Sequence, residues 1–254
     1  RADLVFGQLF PNDVEKIKRA TLPGTPTYFQ KDYKSNKLTF GDSHTISAWL
    51  EGSKCSRNDG LTLNGALARG FDGFIEEMEM DEISTIRFYL GNIDVRHHLC
   101  RLYPDRQKRL IETQRLAIKY VHEVLRVKNK YRIGYVGVVE LLPIEHECRR
   151  LPKTGNYKGQ PFWGTAEERM ETRQSFNDTL KRLQKEMGGF TIIEWPSEYT
   201  HQTETTVPLG SLSGVFKTHP EKEITFKPGM LRFDVMEKPH SVHVAPTYYL
   251  WSVK

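Results

Sequence analysis

Leu38-Thr39-Phe40-Gly41-Asp42-Ser43-His44-Thr45 is an apolar run that stops at a glycine and passes through a compact polar group. A helical pattern follows at once, in Ile46, Trp49 and Leu50. A buried parallel strand brings a reactive side chain to the top of a sheet in this way. Gly41 permits a tight backbone turn, and the amides opening the next helix can face a negative charge held above them. Ser43 is therefore a candidate nucleophile. Ser43 and Thr45 also read as plain helix caps, which such residue types favour.

Working outward, Lys37–Phe40 is the first strand, with its helix running to about Glu51. Leu61-Thr62-Leu63-Asn64-Gly65 reads as a second short strand after a polar loop from Gly52 to Gly60, and Ala66 to Asp81 reads as helix. Ile83 to Leu90 is a third strand, stopping at Gly91-Asn92-Ile93-Asp94. Leu110, Ala117, Val121 and Val124 fall at i, i+7, i+11 and i+14, one face of a helix. Tyr131 to Leu142 is a continuous apolar run rich in β-branched residues, as expected of a central parallel strand covered on both sides. Thr165 and Glu168 form a capping-box pattern. Their helix continues through Phe176, Leu180, Leu183 and Met187 to Gly188-Gly189, and Phe190–Trp195 is a fifth strand. This alternation implies right-handed crossovers and a three-layer α/β/α sandwich on a mainly parallel sheet of about five strands. Residues 1–36 form an N-terminal extension broken by Pro23, Gly24 and Pro26. Residues 37–254 form the α/β domain, with long loops at 143–164 and 196–238.

Composition sets the outer limits. A chain of 254 residues with 38% hydrophobic and 27% charged residues can bury one substantial core. No apolar run approaches a membrane span. The opening at Arg1 leaves earlier processing open. The cysteines Cys55, Cys100 and Cys148 lie far apart, which argues against a disulfide framework and leans towards a reducing compartment such as the cytoplasm. The net charge of +5 concentrates in Arg101 to Arg132. Because Glu112 and Glu123 interleave with those cations, a solvated outer helix is favoured over a nucleic-acid surface.

In such a fold reactive groups gather at the carboxyl ends of strands. Those ends carry Gly41-Asp42-Ser43-His44, Asn64-Gly65, the run Gly91 to His98, and Leu142-Pro143-Ile144-Glu145-His146-Glu147. The set resembles the SGNH/GDSL hydrolase superfamily, in a divergent form. Gly41-Asp42-Ser43 is similar to that family's first block, which supplies the nucleophilic serine. Asn64-Gly65 resembles the second block, whose glycine offers an amide to the oxyanion, and Gly91-Asn92-Ile93-Asp94 resembles the third. His243, in Ser241-Val242-His243-Val244, resembles the catalytic base of the last block. There are two departures. Ile93 stands where the family's third block has its asparagine, which leaves Asn92, Arg96, His97 or a backbone amide as substitutes. His240 stands where the last block has aspartate three residues before the histidine, so His243 works as a dyad or is oriented by a carbonyl or by a carboxylate such as Asp94.

The resemblance implies acyl transfer through a covalent intermediate, without cofactor or metal. The substrate it implies is an ester of a small polar molecule or glycan, and it leaves oligomeric state open. Two other classes stay open. Asp42-x-His44, Asp94, His97, His98, His146 and His240-x-x-His243 offer ligands for a metal-dependent phosphoesterase. The motif departures and basic charge also suit a non-catalytic glycan- or nucleic-acid-binding scaffold, with Tyr157, Phe162, Trp163, Tyr199 and Phe216 in its loops.

Overall fold

The computed structural model describes residues 34–50, 52–80, 82–145, 162–208, 223–236 and 243–244. Most of the N-terminal extension, His240, His146, Tyr157 and Phe216 lie outside them.

Five strands form one parallel sheet: β1 (Lys37–Gly41), β2 (Lys54–Arg57), β3 (Thr85–Tyr89), β4 (Tyr135–Val139) and β5 (Thr191–Ile193), in the order β2-β1-β3-β4-β5. β1 sits between β2 and β3, with Phe40 level with Ser56 on one side and Phe88 on the other. The chain moves one way from β1 to β2, then reverses and moves the other way through β3, β4 and β5. Right-handed crossovers send opposite moves over opposite faces. Accordingly α1 (Leu63–Arg69), α2 (Phe71–Glu76), α3 (Arg106–Lys130) and α4 (Ala166–Met187), which serve the later crossovers, bury their apolar sides in one core with Leu38, Phe40, Ile86, Phe88, Val136 and Val138. The β1–β2 crossover lies on the opposite face. There Ala48, Tyr89, Val139 and Trp195 make a second core with Tyr199, Leu231, Val235, Met236 and Val244. The sheet is thus the middle of three layers.

Burial follows the period of each element. β1 alternates Leu38 and Phe40 into the helical core with Thr39 and Gly41 towards the other face. α3 turns Leu116, Ala117, Tyr120, Val121, Val124 and Val127 inward and leaves its lysines outside, so the basic segment is a solvated outer helix. Arg109 is the exception. Fully buried on the same face, it reaches the Tyr103 and Pro104 carbonyls and Glu168 on α4. The capping box is present in both directions, Thr165 accepting from the Glu168 amide and Glu168 from the Thr165 amide. Met187, the last residue of α4, is exposed.

Three segments depart from the sequence reading. The helix expected from Ile46 to Glu51 is a single 3-10 turn, Thr45–Ala48. Side chains claim the groups that would extend it: Ser47 Oγ donates to the His44 carbonyl at 2.7 Å, and Thr39 Oγ1 accepts from the Leu50 amide at 3.0 Å. The second strand lies at Lys54–Arg57 in the supposed loop. Leu61 to Gly65 instead opens α1, because Leu63 and Ala66 are buried at helical spacing and Thr62 caps the helix. The 66–81 helix is two short helices broken at Gly70. Within the loop at 196–238, β6 (Thr205–Pro208) and β7 (Glu223–Phe226) pair antiparallel as a separate two-stranded sheet. Cys55 and Cys100 are free, buried thiols, and burial pushes the Cys55 thiol up to about 12.

Candidate active site

The order β2-β1-β3 places the reversal of chain direction between β1 and β3. The loops leaving these two strands therefore diverge, and a crevice opens at their carboxyl ends. The serine turn stands on one side of it, Leu90 to Arg96 on the other.

Gly41 holds the two sides close. A Cβ there would lie 2.0 Å from the Tyr89 carbonyl oxygen, so only glycine fits; the requirement is close approach rather than an unusual φ. The Asp42 amide then donates to that carbonyl at 3.2 Å. Asp42 is fully buried, and its Oδ1 accepts from the His44 amide at 2.8 Å and meets His44 Nδ1 at 2.9 Å. This local loop of bonds sets the turn and leaves Ser43 half-buried at its apex. Ser43 Oγ lies 3.2 Å from His243 Nε2, two hundred residues away in sequence, and 3.4 Å from His44 Nδ1. The His44 and His243 rings are 4.7 Å apart between centroids. A bridge between Met236 and Val244 fastens the segment that carries His243.

Arg96 supports the turn from across the crevice. Its Nη1 meets His44 Nε2 at 3.1 Å, and its Nε donates to Glu145 beyond β4. Arg96 and Glu145 are both buried. A buried pair of this kind repays its desolvation only through good geometry and contributes little net stability. Here it links the loops after β3 and β4 to the loop after β1.

The remaining predicted residues divide sharply. Asp94 is buried, and its two carboxylate oxygens accept from the Leu63 and Asn64 amides at 2.7 and 3.2 Å. Burial pushes its carboxyl up to about 6, against the pull of those amides. Asp94 thus closes the start of α1. Asn64 and Gly65 are exposed there, and the Gly65 amide donates to Thr62 Oγ1 at 2.9 Å as part of the helix cap. Asn92 Oδ1 accepts from the Leu142 amide at 3.0 Å, tying the end of β3 to the end of β4. His97 is buried with its ring 5.8 Å from that of Phe162. Phe162 and Tyr199 are themselves buried, so these two loop aromatics serve as satellite core rather than as an open platform. A cleft of about 270 Å³ opens beside Asn64 and Asp94, walled by Leu102, Tyr103, Arg115 and Lys119.

The sequence offered His44 as a member of a polar turn and as a metal ligand, and Glu145 only as a member of a polar turn; neither was read as support for Ser43. The Asp-x-His spacing was the available signal for His44. Nothing marks Glu145, whose partner lies 49 residues away on another loop. Among the described residues no group of three or more His, Cys, Asp or Glu converges as metal ligands would.

No protein-family model matches this chain, and no curated protein does. Solved structures similar to it include a protein from Streptococcus pneumonia provisionally described as a platelet activating factor. It is 12% identical, with a TM-score of 0.40, and the alignment covers 92% of this chain and 91% of that one. Another, from Chitinophaga pinensis and provisionally described as a lipase, is 10% identical with a TM-score of 0.39 over 75% of this chain and 78% of that one. The salicylyl-acyltransferase SsfX3 from a tetracycline biosynthetic pathway is 9% identical with a TM-score of 0.34, over 76% of this chain and 49% of that one.

Proposed function

We propose that the chain is a serine-dependent ester hydrolase or acyltransferase of SGNH type, working through an acyl-enzyme on an acylated carbohydrate or a similar polar ester. The observation that carries this reading is the 3.2 Å approach of His243 Nε2 to Ser43 Oγ at the chain-reversal crevice. A hydroxyl beside an imidazole within hydrogen-bond reach is the arrangement that activates a serine.

His243 takes the proton of Ser43 as Oγ bonds to the ester carbonyl carbon. The tetrahedral intermediate collapses, the C–O bond to the alcohol breaks, and His243 returns the proton to that alcohol. Water or an acceptor hydroxyl then attacks the acyl-serine by the same route in reverse. The Ser43 amide is the first donor to the oxyanion. Because the Gly65 amide is committed to Thr62, its service there requires the α1 cap to reorganise when substrate binds. The cleft beside Asn64 and Asp94, lined by apolar, acidic and basic side chains, is the candidate place for the polar portion of the ester.

The test is labelling with a serine-directed fluorophosphonate probe and peptide mapping, on wild type, Ser43→Ala and His243→Ala, with and without a chelator. Labelling at Ser43 that needs His243 and ignores the chelator is expected. Folded wild type that does not label overturns serine catalysis; activity on phosphoesters that the chelator abolishes would point to the metal-dependent alternative.

A further inference from the structure

The Ser43 hydroxyl has two imidazole nitrogens within reach, His243 Nε2 at 3.2 Å and His44 Nδ1 at 3.4 Å. Which of them accepts its proton depends on where His44 carries its own. We propose that Asp42 and Arg96 lock His44 as the Nδ1–H tautomer, making it a positioning residue that turns the Ser43 hydroxyl towards His243.

Two contacts on opposite edges of the ring support this assignment. A guanidinium has only N–H donors, so Arg96 Nη1, 3.1 Å from His44 Nε2, requires a lone pair on that nitrogen. An imidazole bare at Nε2 carries its proton on Nδ1. Asp42 Oδ1 lies 2.9 Å from Nδ1 and accepts that proton. The other tautomer would set Nε2–H against the Arg96 N–H and a lone pair against the Asp42 carboxylate, two repulsions within a buried cluster. Glu145 holds the guanidinium in place from the far side, and the Asp42 carboxylate is held by the His44 amide. The lock therefore has fixed anchors at both ends.

The consequence falls on Ser43. With a proton on Nδ1, His44 has no lone pair to offer there, and a hydroxyl hydrogen aimed at it would meet another hydrogen. His243 Nε2 takes the hydroxyl instead. His44 also stands as a wall for the base, its ring 4.7 Å from that of His243. Near-attack geometry of this kind needs both partners of the proton transfer held in place, and His44 touches both.

The inference rests on the esterase reading only for its effect on turnover; the tautomer itself is read without substrate. In a long-range proton–nitrogen NMR spectrum of wild type carrying isotope-labelled histidine, with His44 assigned through the signals missing in His44→Asn, the expected pattern is a protonated Nδ1 and a bare Nε2. A protonated Nε2 on His44 overturns the proposal. Fluorophosphonate labelling rates then test the positioning. His44→Asn, whose amide N–H can stand on Asp42 in place of Nδ1–H, is expected to label within about threefold of wild type, and His44→Ala about ten- to a hundredfold more slowly. A folded His44→Ala labelling as fast as wild type overturns the positioning role. Wild type that shows the expected tautomer and does not label sinks the esterase reading and leaves the lock standing.

Discussion

Two turns stand at the carboxyl ends of adjacent strands, β1 and β2, and look alike as sequence. Gly41-Asp42-Ser43 and Thr62-Leu63-Asn64-Gly65 each combine a glycine with small polar residues beside an apolar run. In the structure they are opposites. The first is fastened on every side: Asp42 to His44, His44 to Arg96, Arg96 to Glu145, with all four residues within 2% of complete burial. The second is a helix start with Asn64 and Gly65 exposed, held by the Thr62 cap and by Asp94 beneath. A reactive serine needs a fixed approach angle, and the wired turn provides one. The cap provides a terminus for a helix and a rim for a cleft.

The sharpest way to break the contrast is at the apex of the wired turn. Ser43→Ala or His243→Ala is expected to lower the rate of Ser43-type chemistry by about four orders of magnitude or more, since groups acting as a unit fail together. The measurement is initial velocity on a short-chain aryl ester, with circular dichroism to verify the fold. Retained velocity in Ser43→Ala would remove the functional meaning of the turn.

The next effect is on stability. Arg96→Met leaves Glu145 buried without its cation and is expected to cost about 3–5 kcal/mol in denaturant unfolding. The double change Arg96→Met with Glu145→Leu should recover much of that loss, because both buried charges are gone. A single variant as stable as wild type would mean that the pair is not what fastens the loops.

Asp94 sharpens the other side of the comparison through pH. Its carboxyl is raised from 3.8 to about 6, so between those values the folded protein keeps a proton that the unfolded chain has released. Folding stability contributed by this group therefore falls as pH rises through that window, by on the order of 3 kcal/mol in total. Asp94→Asn should flatten this part of the pH–stability curve, measured by urea unfolding at several pH values. A wild-type curve that climbs from this group instead would show the two α1 amides outweighing burial.

The smallest effect belongs to the cap. Thr62→Ala is expected to cost about 1 kcal/mol and, by freeing the Gly65 amide, to leave ester turnover no worse than wild type. A large loss of turnover with little loss of stability would move the second turn into the reaction chemistry.

The sheet was legible because its central strands are short apolar runs bounded by glycine, and the two long helices because of their 3.6-residue period and the Thr165–Glu168 cap. β2 was not. Lys54-Cys55-Ser56-Arg57 is polar for a strand, and it pairs because β1 offers it a free edge, with Lys54 reaching the Met78 carbonyl. Leu61 to Gly65 looked like a strand because a cap threonine and a strand threonine are the same letter until a helix forms behind one of them. At the site, Ser43 stood out as a candidate through its turn of small polar residues, and His243 only through the resemblance of its segment to a known family's last block. The committed states of Asn92 and Asp94 were not legible, since each depends on a partner from another element, the Leu142 amide after β4 and the Leu63 and Asn64 amides; that of Gly65 was hidden because its partner, the Thr62 cap, was read as part of a strand.

By itself, then, the sequence determined the alternation of strands and helices, the glycine-bounded strand ends and the candidate serine turn, because these rest on periodicity and residue type along a continuous stretch, while the distant histidine came from the family resemblance alone. Only the tertiary structure decided that the crevice falls between β1 and β3, that His44 faces Arg96, and that Glu145 anchors that arginine. Such choices depend on which residues far apart in the chain are buried together, where a charge or lone pair must find its complement in whatever element packs against it.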